Sequence, residues 1–218
     1  MFKAALALPF LSLALVAARP APPVVEPSLP INAPAEVVAD PSNQWTLELS
    51  NGGRVVVQLR PDAAPLTVQR VKTLTAGGFY NGLAFHRVVP GFMAQGGDPK
   101  GDGTGGSPLP DLKAEFNPLP HLRGSVAAAR AESPDSANSQ FYIMFAPKAS
   151  LDNKYTVFGR VIQGMTFVDQ IAPGEPPEQP TKIVRASLGA SNQPAAEAPT
   201  PEPVAPPTET QQPAKRTN

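Results

Sequence analysis

Cysteine is missing from all 218 residues, which rules out disulfides, thiolate metal sites and a cysteine nucleophile, and leaves the redox compartment unmarked. Histidine is scarce: His86 and His121 are the two present, and they form no paired metal-ligand signature. Neither sign of charge is in excess, with 18 basic and 18 acidic residues. A nucleic-acid partner would require clustered Lys and Arg, so none is implied. Long apolar runs are lacking as well. The N-terminal one, Ala4 to Ala18, has 15 residues and is broken by Pro9 and Ser12. A membrane-spanning helix needs about 20, so no stable span is expected.

What this short run does fit is a secretory signal peptide. Lys3 places a positive charge ahead of it, and Val16-Ala17-Ala18 sets small residues at the −3 and −1 positions of a cut after Ala18. Residues 1–18 are therefore expected to direct export, to the periplasm or alternatively into the medium. Proline marks the other boundaries. Of 29 prolines, 8 lie in residues 1–44 and 7 in residues 190–218, leaving 14 for the stretch between. Segments 19–44 and 190–218 read as a Pro-rich linker and a Pro-rich disordered tail, unable to bury a core. Residues 45–189 suffice to bury roughly two-thirds of their unfolded surface and read as the folded domain, expected to be a monomer.

The domain opens with alternation. Trp45, Leu47 and Leu49 share one face, Val55, Val57 and Leu59 repeat the pattern, and Asn51-Gly52-Gly53 lies between. Asn and Gly tolerate the positive φ of a tight turn, so this is an antiparallel hairpin. A helix is expected from about Ala64 to Ala76. Pro65 suits its first turn, Ala64, Val68, Val71 and Leu74 form one apolar stripe, and Gly77-Gly78 ends it. Short strand-like runs follow at 84–89, 92–95, 125–128, 140–145, 156–161 and 182–188, with a short helix near 165–171. Eight strands and two helices make a mainly β domain. Periodicity alone leaves a sandwich and a closed barrel equally open.

Two stretches carry the functional signal. One is Phe85-His86-Arg87-Val88-Val89-Pro90-Gly91-Phe92-Met93-Ala94-Gln95-Gly96-Gly97-Asp98. There a strand bearing an arginine leads through a Pro-Gly turn into a second strand bearing an amide. The other runs through Asn138-Ser139-Gln140-Phe141-Tyr142-Ile143 to Leu151-Asp152 and Val157-Phe158-Gly159. Gly103, Gly105 and Gly106 look like a phosphate loop only superficially, since no Lys-Ser or Lys-Thr pair follows at the required spacing. His86 reads as structural, on the face opposite Phe85 and Arg87, and His121 as structural or exposed. Phe92 and Met93, being adjacent, can line one pocket only if the strand bends at Pro90-Gly91.

These blocks, with Gly103-Thr104-Gly105-Gly106 between them, resemble the cyclophilin family of peptidyl-prolyl isomerases over residues 45–189. The resemblance implies a closed eight-stranded antiparallel β-barrel capped by two α-helices. It also implies acceleration of isomerisation at X–Pro bonds of proline-containing polypeptide clients, without metal or cofactor. Arg87 matches the family's catalytic arginine, and Gln95 the amide that contacts substrate and orients it. Phe92, Met93, Tyr142 and Leu151 match pocket walls, and Gln140 a second polar residue. Ala129 and Arg130 match the segment that binds peptide backbone, with arginine where asparagine is common. Ser150 stands where many eukaryotic members carry a tryptophan, and Tyr155 where they carry a histidine. Weak cyclosporin binding is the expected consequence. Rival readings are a proline-binding module without turnover, and a barrel that merely displays functional Pro-rich termini.

Overall fold

The computed structural model describes residues 29–189. The segment expected to be a signal peptide, the first part of the linker and the C-terminal tail lie outside the described residues. Eight strands are present: β1 (Gln44–Leu49), β2 (Arg54–Leu59), β3 (Arg87–Val89), β4 (Met93–Gly96), β5 (Ser125–Ala128), β6 (Phe141–Met144), β7 (Val157–Gln163) and β8 (Ile183–Leu188). The helices are α1 (Ala35–Ala39), α2 (Pro65–Ala76) and α3 (Met165–Asp169), joined by 3-10 turns at Pro41–Asn43 and Ala149–Leu151. The expected hairpin is β1–β2, paired from Gln44↔Gln58 to Glu48↔Arg54. Its turn is set by Gly52 at φ 80° and by Asn51 Oδ1, which accepts from the Gly53 N–H at 3.1 Å.

All pairings are antiparallel, in the order β3-β4-β6-β5-β7-β2-β1-β8. The sheet curls but stays open, which corrects the expected closed barrel. Its edge strands β3 and β8 share no ladder. The gap is spanned by one isolated bridge, Ala84↔Lys182, with Phe85 N–H donating to Thr181 O and Ile183 N–H to Leu83 O. The strand expected over 84–89 is shortened at its start to Arg87–Val89, so too little regular backbone reaches the seam to complete a ladder.

Each face of the sheet carries its own apolar cluster. Inside the curl, Val88, Ala94, Ile143 and Val126 form a row across β3, β4, β6 and β5 and join the main core. Trp45 sits fully buried in that core, edge-on to Tyr80 at 5.2 Å and to Phe141 at 4.9 Å between ring centroids. Such aromatic pairs add about 0.5–1.5 kcal/mol beyond area burial. On the outer face Met93, Tyr142, Met144, Ala127, Ala129 and Val157 form a second cluster, joined by Phe92, Leu151 and Tyr155.

Within the segment expected to be a free linker, residues 30–43 pack against the sheet and contribute a third helix, α1. Val37 is buried and its carbonyl accepts from Asn43 Nδ2 at 3.0 Å and Gln58 Nε2 at 3.4 Å. The buried Arg60 guanidinium donates to Pro30 O at 2.9 Å and Ile31 O at 3.0 Å while pairing with Asp62. Composition shows the prolines of this segment but not the buried arginine that receives its carbonyls.

Candidate active site

The antiparallel register builds the site from residues far apart in sequence. Arg87 pairs with Gln95, Gln95 with Tyr142, and Tyr142 with Ala127. Side chains directly across a ladder share a face, so this row lies on the outer surface, beside Val89, Met93 and Met144. Phe92 precedes β4. Its N–H closes a turn onto Val89 O at 3.0 Å, with Gly91 at φ 72°. That turn is the bend that lets Phe92 and Met93 face one pocket.

The pocket has a volume of about 160 Å³ and is lined by Arg87, Phe92, Met93, Gln95, Ala129, Arg130, Tyr142, Leu151 and Tyr155. Nine of the ten expected site residues thus converge. The tenth, Gln140, lines an adjoining polar depression of about 570 Å³, which shares Gln95, Ala129 and Arg130 with the first. Met93 and Tyr142 form the buried floor. Leu151 enters from the 3-10 turn, and Lys148 Nζ lies 5.9 Å from the Phe92 ring.

Polar groups are arranged in two separate sets. Gln95 Nε2 donates to Gln140 Oε1 at 2.9 Å, and Gln140 Nε2 donates to Gly103 O at 3.0 Å and Gly105 O at 2.7 Å. The glycine loop therefore anchors an amide relay. Arg87 instead donates from Nε to Glu175 Oε2 at 2.6 Å. Gln95 was expected to orient Arg87; the hydrogen bond it makes here goes to Gln140. Among the described residues the two Nη groups of Arg87 have no partner, so four N–H donors of this pocket-lining residue are unengaged.

Arg130 lines the pocket and is also bonded to its surroundings. Its Nη1 donates to Ala131 O at 2.9 Å and Glu132 O at 3.0 Å, its Nη2 to Lys154 O at 3.1 Å, and the guanidinium stacks 4.6 Å from the Tyr155 ring centroid. Those bonds make it a wall and a strut, with Nη1 fully engaged by backbone carbonyls. Tyr155 stands edge-on to Tyr142 at 5.9 Å.

His121, read from sequence as structural or exposed, is buried under the floor. Its Nδ1 lies 2.9 Å from Asp152 Oδ1 and its Nε2 3.1 Å from the Tyr142 hydroxyl. Burial opposes ionisation of Asp152, but bonds from the backbone N–H and ring of His121 outweigh it and hold the carboxyl below its ordinary range. An ionised Asp152 only accepts, so Nδ1 carries a proton, and Nε2 and the Tyr142 hydroxyl share the second hydrogen bond. Burial pushes the Tyr142 phenol well above its ordinary value, which keeps it protonated. No sequence signal links these three residues. His86, read as structural, is buried, and burial lowers its pKa. It precedes β3, so strand alternation does not relate it to Arg87. Among the described residues no three His, Cys, Asp or Glu side chains are grouped as a metal site.

Comparison with known proteins gives one consistent picture. Residues 45–188 match the family described as cyclophilin type peptidyl-prolyl cis-trans isomerase/CLD. The chain is 48% identical over 168 residues to a probable peptidyl-prolyl cis-trans isomerase of Brucella suis, covering 70% of this chain and 85% of that one. It is 43% identical over 129 residues to peptidyl-prolyl cis-trans isomerase B of Bacillus subtilis, covering 58% of this chain and 89% of that one. Among solved structures it is similar to cyclophilin AquaCyp293 from Hirschia baltica, with TM-score 0.64, 28% identity, and 68% and 74% of the two chains covered. A Cryptosporidium parvum cyclophilin type isomerase, crystallised in the presence of the dipeptide Ala-Pro, gives TM-score 0.63 and 25% identity, with 68% and 99% covered.

Proposed function

The chain belongs to the cyclophilin-type peptidyl-prolyl cis-trans isomerase family, and from that premise we propose that Arg87 is its catalytic group and that it acts on unfolded segments of exported proteins. The observation that carries the site reading is the free Nη face of Arg87 beside a pocket floored by Met93 and Tyr142. Support for export is the N-terminal pattern of Lys3, an interrupted apolar run and Val16-Ala17-Ala18.

The reaction breaks no covalent bond. Amide resonance sets a rotation barrier of about 18–20 kcal/mol, and each ~1.4 kcal/mol removed speeds the step about tenfold. When the X–Pro amide twists, the prolyl nitrogen loses conjugation and regains a lone pair. A donor directed there stabilises the twisted state and has little to bind in the planar one, which is differential binding of the transition state. Arg87 suits that task because its guanidinium offers several fixed donors and stays charged. Phe92, Met93, Tyr142 and Leu151 would hold the pyrrolidine ring. Gln95, held by Gln140, would meet the peptide backbone, and the adjoining depression would receive the chain flanking proline.

The test is a prolyl isomerisation assay on a short Ala-Pro peptide with the full chain. Arg87→Ala is expected to lower kcat/KM by about 10²-fold, as loss of one directed donor does in other sites. Binding of the peptide should weaken far less. Equal losses in both would return the pocket to a proline-binding module. Weak cyclosporin binding belongs to the same proposal, since the exposed Ser150 adds no aromatic wall. Submicromolar affinity in a calorimetric titration would contradict it.

A further inference from the structure

Among the described residues Glu175 is the one carboxylate paired with Arg87, and no motif in the sequence points to it. Its Oε2 accepts from Arg87 Nε at 2.6 Å across 88 residues of chain. An isolated ion pair on a surface would carry little meaning, since both side chains are about half exposed, at 41% and 51%. Here the loop beneath the glutamate is built onto the strand that carries the arginine. Val88 N–H donates to Gly174 O at 2.8 Å and Gly174 N–H to Val88 O at 2.9 Å. The loop is closed at its base by Ala172 N–H on Thr181 Oγ1 at 3.1 Å. Thr181 O in turn accepts from Phe85 N–H at 2.9 Å.

Gly174 has φ 143°, and a Cβ there would fall 2.6 Å from Pro177 Cα, so no other residue fits without moving the loop. Pro173, Pro176 and Pro177 restrict the chain on both sides of Gly174-Glu175. The carboxylate is thus delivered by a stiff segment anchored on both sides of Arg87. It takes the Nε donor of a residue that lines the pocket and leaves both Nη groups unengaged among the described residues. An arginine side chain has large rotamer freedom when unheld, and at 41% exposure the pocket wall alone does not hold this one.

We propose that Glu175 is the positioning residue for Arg87, holding the guanidinium by Nε so that its Nη donors face the prolyl nitrogen. This rests on the catalytic reading of Arg87 given above. Because Glu175 acts through another side chain, its removal changes how often the arginine is aligned and leaves substrate binding nearly intact.

The experiment measures kcat and KM on the Ala-Pro peptide for the full chain and for Glu175→Ala, Glu175→Gln, Arg87→Ala and the double variant Glu175→Ala/Arg87→Ala. Glu175→Ala is expected to lower kcat about threefold to fivefold, the range of a well-set exposed pair, with KM within about twofold and an unchanged melting temperature. Glu175→Gln keeps an oxygen that accepts from Nε and should recover most of the loss. The double variant should be no slower than Arg87→Ala. If Arg87→Ala collapses activity while Glu175→Ala keeps or raises kcat, the positioning inference fails and the catalytic reading stands. If Arg87→Ala retains full turnover, the catalytic reading fails and this one with it.

Discussion

At the scale of single residues, the floor of the pocket depends on a hydrogen bond hidden from substrate. Tyr142 presents its ring to the pocket and its hydroxyl to His121, which Asp152 holds from the other side. Tyr142→Phe keeps the ring and removes the hydroxyl, leaving His121 Nε2 buried and unsatisfied. The expected cost is about 1–3 kcal/mol of stability, as for an orphaned buried polar atom, with kcat/KM within about threefold because the lining surface is retained. Urea unfolding together with the isomerase assay checks both halves. A variant as stable as the parent would remove the structural role of the relay; a large loss of turnover at full stability would make the hydroxyl part of the site. Sequence reading reached Tyr142 because the motif around Gln140 is local. It missed His121 because the partners stand 21 and 31 residues away, and neither spacing matches a helix or strand period. Glu175 was missed for the same reason. A residue that acts only through another leaves no pattern of its own, whereas Arg87, Phe92 and Met93 sit close together on one short hairpin, β3–β4.

At the scale of elements, the apolar alternation and the stripe of α2 were legible because they repeat every two residues in strands and every three or four in helices. All eight expected strands are present, and α2 spans Pro65–Ala76 where a helix from about Ala64 to Ala76 was expected. What starts α2 was not legible. Ala64 at its N-cap provides no side-chain cap. Instead Glu115, 48–49 residues away, accepts from Leu66 N–H and Thr67 N–H, both at 2.8 Å, and from Thr67 Oγ1 at 2.7 Å. A carboxylate there satisfies orphan donors and opposes the positive end of the helix dipole. Glu115→Ala should therefore cost about 1–2 kcal/mol, fray the first turn of α2, and leave the pocket intact. Amide hydrogen exchange localises the effect. Faster exchange at Leu66 and Thr67 is expected, and an unchanged rate there would refute the capping role.

At the scale of the whole molecule, proline content misplaced an edge of the folded unit. Pro30, Pro34 and Pro41 made residues 19–44 read as an extended linker, since such composition rarely buries apolar surface. Yet this segment covers polar groups the sheet cannot satisfy by itself. Arg60 is 3% exposed, and a buried guanidinium paired only with Asp62 would keep unsatisfied donors. The carbonyls of Pro30 and Ile31 complete it, while Lys72 Nζ donates to Ser42 Oγ at 2.8 Å and Asn43 Oδ1 at 2.7 Å from α2. The same long-range dependence explains why closure of the barrel was not legible: strand count is a local property, but whether β3 meets β8 depends on how far the backbone around residue 84 stays regular. The folded unit therefore takes in residues 30–43, ahead of the family match at residue 45. Two truncations separate the alternatives. A chain lacking residues 1–28 keeps Val37 and the acceptors of Arg60 and serves as the reference. A chain lacking residues 1–43 loses the burial of Val37 and the acceptors of Arg60, and should be less stable by about 2–4 kcal/mol. Equal midpoints for the two would mean that the segment only rests on the sheet, and that Arg60 finds water instead.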